Sequence, residues 1–412
     1  MVTRIAPILS LNPATEEVLR SYEPHTLAQI EEAIAEAQSA FLEWRDRPVA
    51  ERAVPMRRLA AVLRERSDNY ARLMTLEMGK PIGEAKGEVE KCAWGCEFYA
   101  DNAARFLTEE PAQTNARKSY VRFDPLGIVL AVMPWNFPFW QVIRFGAPAL
   151  MAGNAVVLKH ASNVPQCALA IEEAVRDAGF PKGLLRALLV VGGQVEPVIA
   201  DERVRAVTLT GSSTTGAQIA AAAGRNLKKT VLELGGSDPY IVLADADLDG
   251  AATTAVRARN QNNGQSCIAA KRFIVAERVA SDFERRFAKG VEALRIGDPI
   301  DPATQIGPLA RADLRETLER QVKESVRMGA RVVTGRRCPY SRRRPSDRSR
   351  RSWPYATRTR RSRSRTTPST ASARTSGRRT SCSPSTSRRG STRARCSSMG
   401  WSPATRVSPS AA

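Results

Sequence analysis

Between residues 127 and 236, short apolar runs alternate with helix-like stretches, and this alternation restricts the fold more than any other feature. "GIVLAVMPW" (127–135), "NAVVLKHA" (154–161), "LLRALLVV" (184–191), "AVTLTG" (206–211) and "KTVLELGG" (229–236) read as strands. The first two are continuously apolar and partly β-branched, as expected of strands buried on both faces. Helical patterns at 165–178 and 216–226 lie between the runs. Strand and helix in alternation predict a parallel, doubly wound sheet. Upstream, Leu27, Ile30, Ile34, Ala37 and Phe41 recur at helical spacing, and two further helical stretches follow at about 51–77 and 81–105. "PYIVLADADLDGAATTAVRARNQ" opens another α/β run that lasts to about 335. The expected organisation is therefore two α/β units, 1–236 and 237–335.

A chain of 412 residues has room for both units and a sizeable core. Its net charge of +21 would ordinarily suggest a nucleic-acid or membrane partner. The charge is concentrated, however. From Arg336 to Ala412 there are 21 Arg, no Lys and a single acid, Asp347, whereas residues 1–335 carry a net charge of only +1. The tail has no Leu, Ile or Phe and one Val, Val407, so it cannot bury enough apolar surface to offset chain entropy and is expected to be disordered. Four Cys in the body show no disulfide spacing, and no apolar run is long enough to span a bilayer. A cytoplasmic protein is expected.

Several short motifs could carry chemistry, each beside a plainer reading. In "QNNGQSCIAAKRFIV" (261–275), Cys267 stands among amides, a glycine and a serine, a setting suited to a partly exposed nucleophilic thiol. A chance cysteine in a polar loop reads the same way. Cys92 and Cys96 share one helical face and are expected to pack in the core. "TLTGSSTTGAQI" (208–219) is a strand, a small-residue turn and a helix start, which can hold a pyrophosphate or can be a tight connection. Lys159 ends a buried strand and faces either the ligand crevice or solvent. Glu233 lies between leucines in "VLELGG", where burial would suit it to general-base work; a glutamate pointing outward from a half-exposed strand is the alternative. Asn136, in the turn "MPWNFPFWQVIR" (133–144), can donate to a developing oxyanion or simply shape the turn.

Together, these pieces resemble the NAD(P)-dependent aldehyde dehydrogenase superfamily. The resemblance covers about residues 8–335 and rests on "PWNFPFW", "AGNAVVLKHAS", "TLTGSS", "LELGGSDPYIVLADADLD", "GQSC" and "IGDPIDPATQIGPLA", in order. It implies a Rossmann-type cofactor domain (1–236) and an α/β catalytic domain (237–335), with 117–126 as a strand excursion used in subunit association. It implies Cys267 as nucleophile, Glu233 as base and Asn136 with the Cys267 N–H as oxyanion donors. Trp135, Lys159, Ser162, Gly211, Ser212 and Leu234 would line an NAD or NADP cofactor. The substrate implied is a small-molecule aldehyde, and family members form homodimers or homotetramers. No metal is implied.

Within the superfamily the motifs are most similar to succinate-semialdehyde dehydrogenases, and Arg144 could pair with a distal substrate carboxylate or form a structural ion pair. Where some members place a second Arg, this chain has Gln261. Ser162 stands where the family often has a glutamate that repels a 2′-phosphate, so NADP should be accepted and NAD remains open. The resemblance stops near Gly335, short of a segment that holds the nicotinamide ribose in relatives. Residues 336–412 are read as a reading-frame shift through GC-rich coding sequence. The alternatives are an inactive cofactor-binding remnant, or a basic tail that binds nucleic acid electrostatically.

Overall fold

The computed structural model describes residues 6–334 and the backbone of 356–358. The expectations for 336–412 otherwise lie outside the described residues. The chain opens with an antiparallel ribbon, Ile8–Leu11 (β1) against Val18–Tyr22 (β2). Four helices follow: Leu27–Trp44 (α1), Val49–Glu65 (α2), Ser67–Met78 (α3) and Ile82–Phe106 (α4). Thr26 starts α1 through a capping box with Gln29, which satisfies backbone donors the helix cannot. Ile30, Ala33, Ile34, Ala37, Phe41 and Trp44 form its buried face, while Leu27 is 71% exposed because it sits in the first turn, beyond the core.

The stretch expected as one helix over 51–77 is two, broken at Arg66 (φ −109°, ψ 18°). After the break α3 packs on β1 as well as on α4 and the later helix α6, a placement that no local spacing announces.

A short hairpin, Glu110–Pro111 (β3) with Tyr120–Val121 (β4), leads to the main sheet. That sheet is built from Ile128–Met133 (β5), Trp140–Met151 (α5), Ala155–His160 (β6), Pro165–Asp177 (α6), Leu185–Ala187 (β7), Val195–Ala200 (α7), Val204–Gly211 (β8), Ser213–Arg225 (α8) and Lys229–Leu234 (β9). All five strands run parallel in the order β7-β6-β5-β8-β9, as the alternation predicts. β5 and β6 are buried on both faces, as their unbroken apolar runs require. β7 is shorter than the expected 184–191 because it is an edge strand: Leu188 gives one last bond to Leu158 O (2.7 Å) and the chain leaves the sheet.

The rest has a second, smaller core. Pro239–Val242 (β10) pairs in parallel with Arg272–Val275 (β11), flanked by Leu248–Asn260 (α9) and Glu277–Glu292 (α10). Tyr240, Phe273, Phe283 and Phe287 interlock there, with the Phe273 and Phe287 rings 4.8 Å apart. Ala312–Arg327 (α11) and Arg331–Thr334 (β12) follow, and β12 pairs antiparallel with Ala356–Arg358 (β13). Among the described residues, no helix is long and apolar enough to cross a membrane. Cys92 and Cys96 are fully buried, as expected, and burial pushes both thiols above their ordinary range.

Candidate active site

The strand order reverses direction at β5: the chain runs outward to β6 and β7, then returns to the other side as β8 and β9. In open α/β sheets, ligands bind outside the carboxyl ends of the strands at such a point. Asn136 and Trp135 follow β5, Lys159 is the penultimate residue of β6, Gly211 ends β8, and Glu233 and Leu234 end β9. The register sets Thr210 beside Glu233 and Gly211 beside Leu234. One edge therefore collects most of the residues singled out in the sequence.

Cys267 arrives from the second unit on a loop with unusual backbone. After α9, Asn262, Asn263 and Gly264 take three successive positive φ angles of 56°, 57° and 72°. Asn tolerates this region better than other residues that carry a Cβ, and left-handed backbone costs roughly 1–2 kcal/mol per residue. A Cβ at Gly264 would lie 2.9 Å from Arg259 Nη1, so that guanidinium would also have to shift. Side-chain hydrogen bonds from distant segments offset the cost. Asn263 donates to Gly79 O (2.7 Å) and Pro308 O (3.0 Å) and accepts from Gly307 N (2.8 Å). Glu84 accepts from Asn262 N (2.7 Å), and burial raises the Glu84 carboxyl's pKa. Gln265 accepts from Ala310 N (3.0 Å). The loop leaves Cys267 partly buried and uncrosslinked.

Asn136 meets this loop directly. Its Nδ2 donates to Gln265 O (2.9 Å), and its own carbonyl accepts from Asn262 Nδ2 (2.7 Å). A carboxamide has two N–H donors, and the bond to Gln265 uses one. Among the described residues, the N–H of Cys267 bonds no carbonyl. The turn that carries Asn136 is itself pinned from below. Glu88 on α4 accepts from Phe139 N (3.0 Å) and Trp140 N (2.9 Å) and is ion-paired with Lys80, both side chains almost wholly buried. Lys80 also lies 4.1 Å from the centre of the Phe137 ring. His160 Nε2 bonds Pro138 O at 2.9 Å, and burial pushes its pKa down to about 4, so it stays neutral.

Glu233 departs from one expectation. It is not buried between its leucines: its side chain is 42% exposed, because β9 is an edge strand with one open face. Arg144, on α5, lies beside it, with Nη1 3.8 Å from Glu233 Oε2, while Nη2 donates to Thr210 Oγ1 (3.2 Å). The arginine thus has an ion-pair partner at the same edge where it could meet a substrate.

The remaining residues form an open cradle. Ser212 caps α8, its hydroxyl accepting from Thr215 N (3.2 Å), so the first-turn N–H groups face the crevice with their dipole. Gly216 lets α8 approach β9 closely, since a Cβ there would meet Leu234 Cδ2 at 2.6 Å. Ser162 and Ser212 are exposed, Trp135 and Gly211 are partly so, and burial lowers the pKa of Lys159. An anion-facing helix end, a nearby lysine and exposed hydroxyls fit a dinucleotide.

The aldehyde dehydrogenase family model matches residues 3–349. The chain belongs to the aldehyde dehydrogenase family. A Synechocystis protein named probable succinate-semialdehyde dehydrogenase (NADP+) is 52% identical over 328 residues, covering 80% of this chain and 72% of the relative. The succinate-semialdehyde dehydrogenase (NADP+) of Mycobacterium avium is 50% identical over 333 residues, covering 80% and 71%. The crystal structure of succinic semialdehyde dehydrogenase from Streptococcus pyogenes with NADP+ superposes with a TM-score of 0.78 at 39% identity, covering 80% of this chain and 73% of that one. This aldehyde dehydrogenase is therefore an NAD(P)-dependent oxidoreductase that acts on aldehydes. The family match also runs past Gly335, where the motif-based resemblance ends.

Reading the sequence of this aldehyde dehydrogenase missed the supports of the site: Lys80, Glu84, Glu88, Asn262, Asn263 and Gln265. Two signals were present. "NNG" is a run of residues that accept left-handed backbone, and Glu88 interrupts the apolar helical face of Ala85, Val89 and Cys92.

Proposed function

We propose that this aldehyde dehydrogenase oxidises succinate semialdehyde to succinate, with NADP+ as its preferred oxidant. The observation that carries the reading is that an oxyanion donor, a partly exposed thiol loop and an Arg144–Glu233 pair share the carboxyl edge of one sheet. In this reading the Cys267 thiolate adds to the aldehyde carbon, and the oxygen that gains charge is held by the second N–H of Asn136 and the N–H of Cys267. Trp135, Lys159, Ser162, Gly211, Ser212 and Leu234 hold the dinucleotide, which when bound supplies the hydride acceptor. Cys267 is then left as a thioester. Glu233 takes a proton from water as the water oxygen bonds the acyl carbon, the carbon–sulfur bond breaks, and the acid leaves.

Arg144 receives the distal carboxylate, which explains why a four-carbon semialdehyde is preferred over a neutral aldehyde. NADP+ follows from Ser162, which presents a hydroxyl and no repelling carboxylate to a 2′-phosphate; the NADP+ relatives support the same choice. The division at about 236 into cofactor and catalytic units is supported by the two separate hydrophobic cores. The segment 117–126, which holds the exposed strand β4, is the surface we assign to subunit association. A nucleophilic thiol of this kind belongs in a reducing compartment, the cytoplasm.

The test is steady-state oxidation by the purified full chain. Succinate semialdehyde should exceed butanal in kcat/KM by about 10- to 100-fold, the worth of one charge-assisted hydrogen bond, and NADP+ should exceed NAD+. Equal rates with the two aldehydes would sink the substrate assignment. Turnover that survives Cys267→Ala would sink the mechanism.

A further inference from the structure

Glu233 and Cys267 come from different units, so something must fix the end of β9 relative to the thiol loop. Two cations at the start of β11 do so. Lys271 Nζ donates to Cys267 O (2.8 Å) and to Gly236 O (2.6 Å), and Arg272 Nε donates to Ser237 O (2.7 Å). Gly236 lies three residues after Glu233 and just beyond the end of β9. A single ammonium thus holds the carbonyl of the thiol residue and a carbonyl of the segment that leaves the glutamate.

We propose that Lys271 is a positioning residue for hydrolysis of the acyl-enzyme, clamping the Glu233 strand end to the backbone of Cys267. The proposal rests on Cys267 as nucleophile and Glu233 as base, and extends that reading to the residue that sets their separation. Adding an aldehyde to sulfur needs the thiol and the oxyanion donors, and removing its hydride needs the cofactor. Hydrolysis needs one thing more, a carboxylate within reach of a water on the acyl carbon, and a displacement of about 1 Å can cost about 10²-fold in rate. The clamp therefore matters more for the second half of the reaction than for the first. The titratable groups facing the ammonium are Cys267, Arg259 on α9 and Asp238 in the linker. Partial burial lowers the pKa of Lys271, and the attraction of Cys267 and Asp238 opposes this. Lys271 lies outside both cores, so its replacement should leave the fold intact.

The test compares wild type, Lys271→Met, Lys271→Arg and Cys267→Ala with succinate semialdehyde and NADP+, following the first turnover by stopped flow and the acid-quenched protein by intact mass. Lys271→Met should retain a rapid burst of about one NADPH per site, slow about tenfold or more in steady state, and carry an acyl group on Cys267 that wild type does not accumulate. Lys271→Arg, which can reach both carbonyls, should recover part of the steady-state rate. A Lys271→Met enzyme with an unchanged steady state overturns the proposal, as does one in which burst and steady state fall together with no trapped acyl group. If Cys267→Ala still turns over, the underlying reading fails, whatever Lys271 does.

Discussion

The sheet centre and the thiol loop are built by opposite means. In β5 and β6 nearly every side chain is apolar and buried, and Ile128, Leu130, Val156 and Val157 are at most 1% exposed. Position there follows from close packing and a parallel ladder. Around Cys267 the backbone takes three left-handed residues in succession, held by Asn263, Glu84, Asn136 and Gln265 reaching across 44 to 184 residues of sequence. The first region can lose a methyl group and keep its geometry. The second can keep its fold and lose its alignment. Stability is concentrated in one region and the aim of the reacting groups in the other.

The comparison can be broken most sharply at the reacting groups. Cys267→Ala should lower kcat by at least about 10⁴-fold while the thermal midpoint stays within about 2 °C of wild type, since the thiol is partly exposed and makes no disulfide. A comparable loss of melting temperature would mean that the loop also carries stability. Glu233→Gln should lower kcat about 10²- to 10⁴-fold with the first-turnover burst preserved, because the role proposed for it comes after hydride transfer. Rapid-quench kinetics check this, and loss of the burst would move Glu233 to the first half of the reaction.

The contrast itself is sharpened by pairing Leu130→Ala with Asn263→Ala. Leu130 is 1% exposed, so the first should cost about 2–5 kcal/mol by denaturant titration and leave kcat of the folded enzyme within about twofold. Asn263→Ala leaves two carbonyls and one N–H without their partner, and should depress kcat about 10-fold or more. If the core variant lost kcat and the loop variant did not, the assignment of roles would be reversed. The smallest effect concerns acid. His160 has its pKa held near 4 in the folded protein, below the ordinary 6.5. Its contribution to stability is complete above about pH 6.5 and is lost as pH falls from there toward 4, because the unfolded chain takes up the proton first. Thermal melts of wild type and His160→Gln across that window should converge at the acid end.

Much of the first region was legible in advance. The unbroken apolar runs of β5 and β6, and the strand–helix alternation through β9, give the parallel sheet without any tertiary information. Element ends were harder: β7 stops early because it is an edge, and α2 and α3 divide at Arg66, after which α3 packs on β1 as well as on the helices. At the site, the candidate chemical groups could be named from motifs, since each motif keeps its residues adjacent in sequence. Their supports could not. Glu88 holds Phe139 and Trp140 from 51 and 52 residues away, and nothing near either end of that contact announces the other.

The sequence alone determined the parallel sheet and the apolar strands at its centre and supplied the candidate reactive side chains, because all three are written in local spacing and residue type. Only the tertiary structure decided that Glu233 stands on an open edge, that Arg144 lies beside it, and that Asn136 is hydrogen-bonded into the loop of Cys267. Those relations depend on chain segments 89 and 129 residues apart meeting in one place, and hydrophobic periodicity carries no information about which distant polar groups will meet.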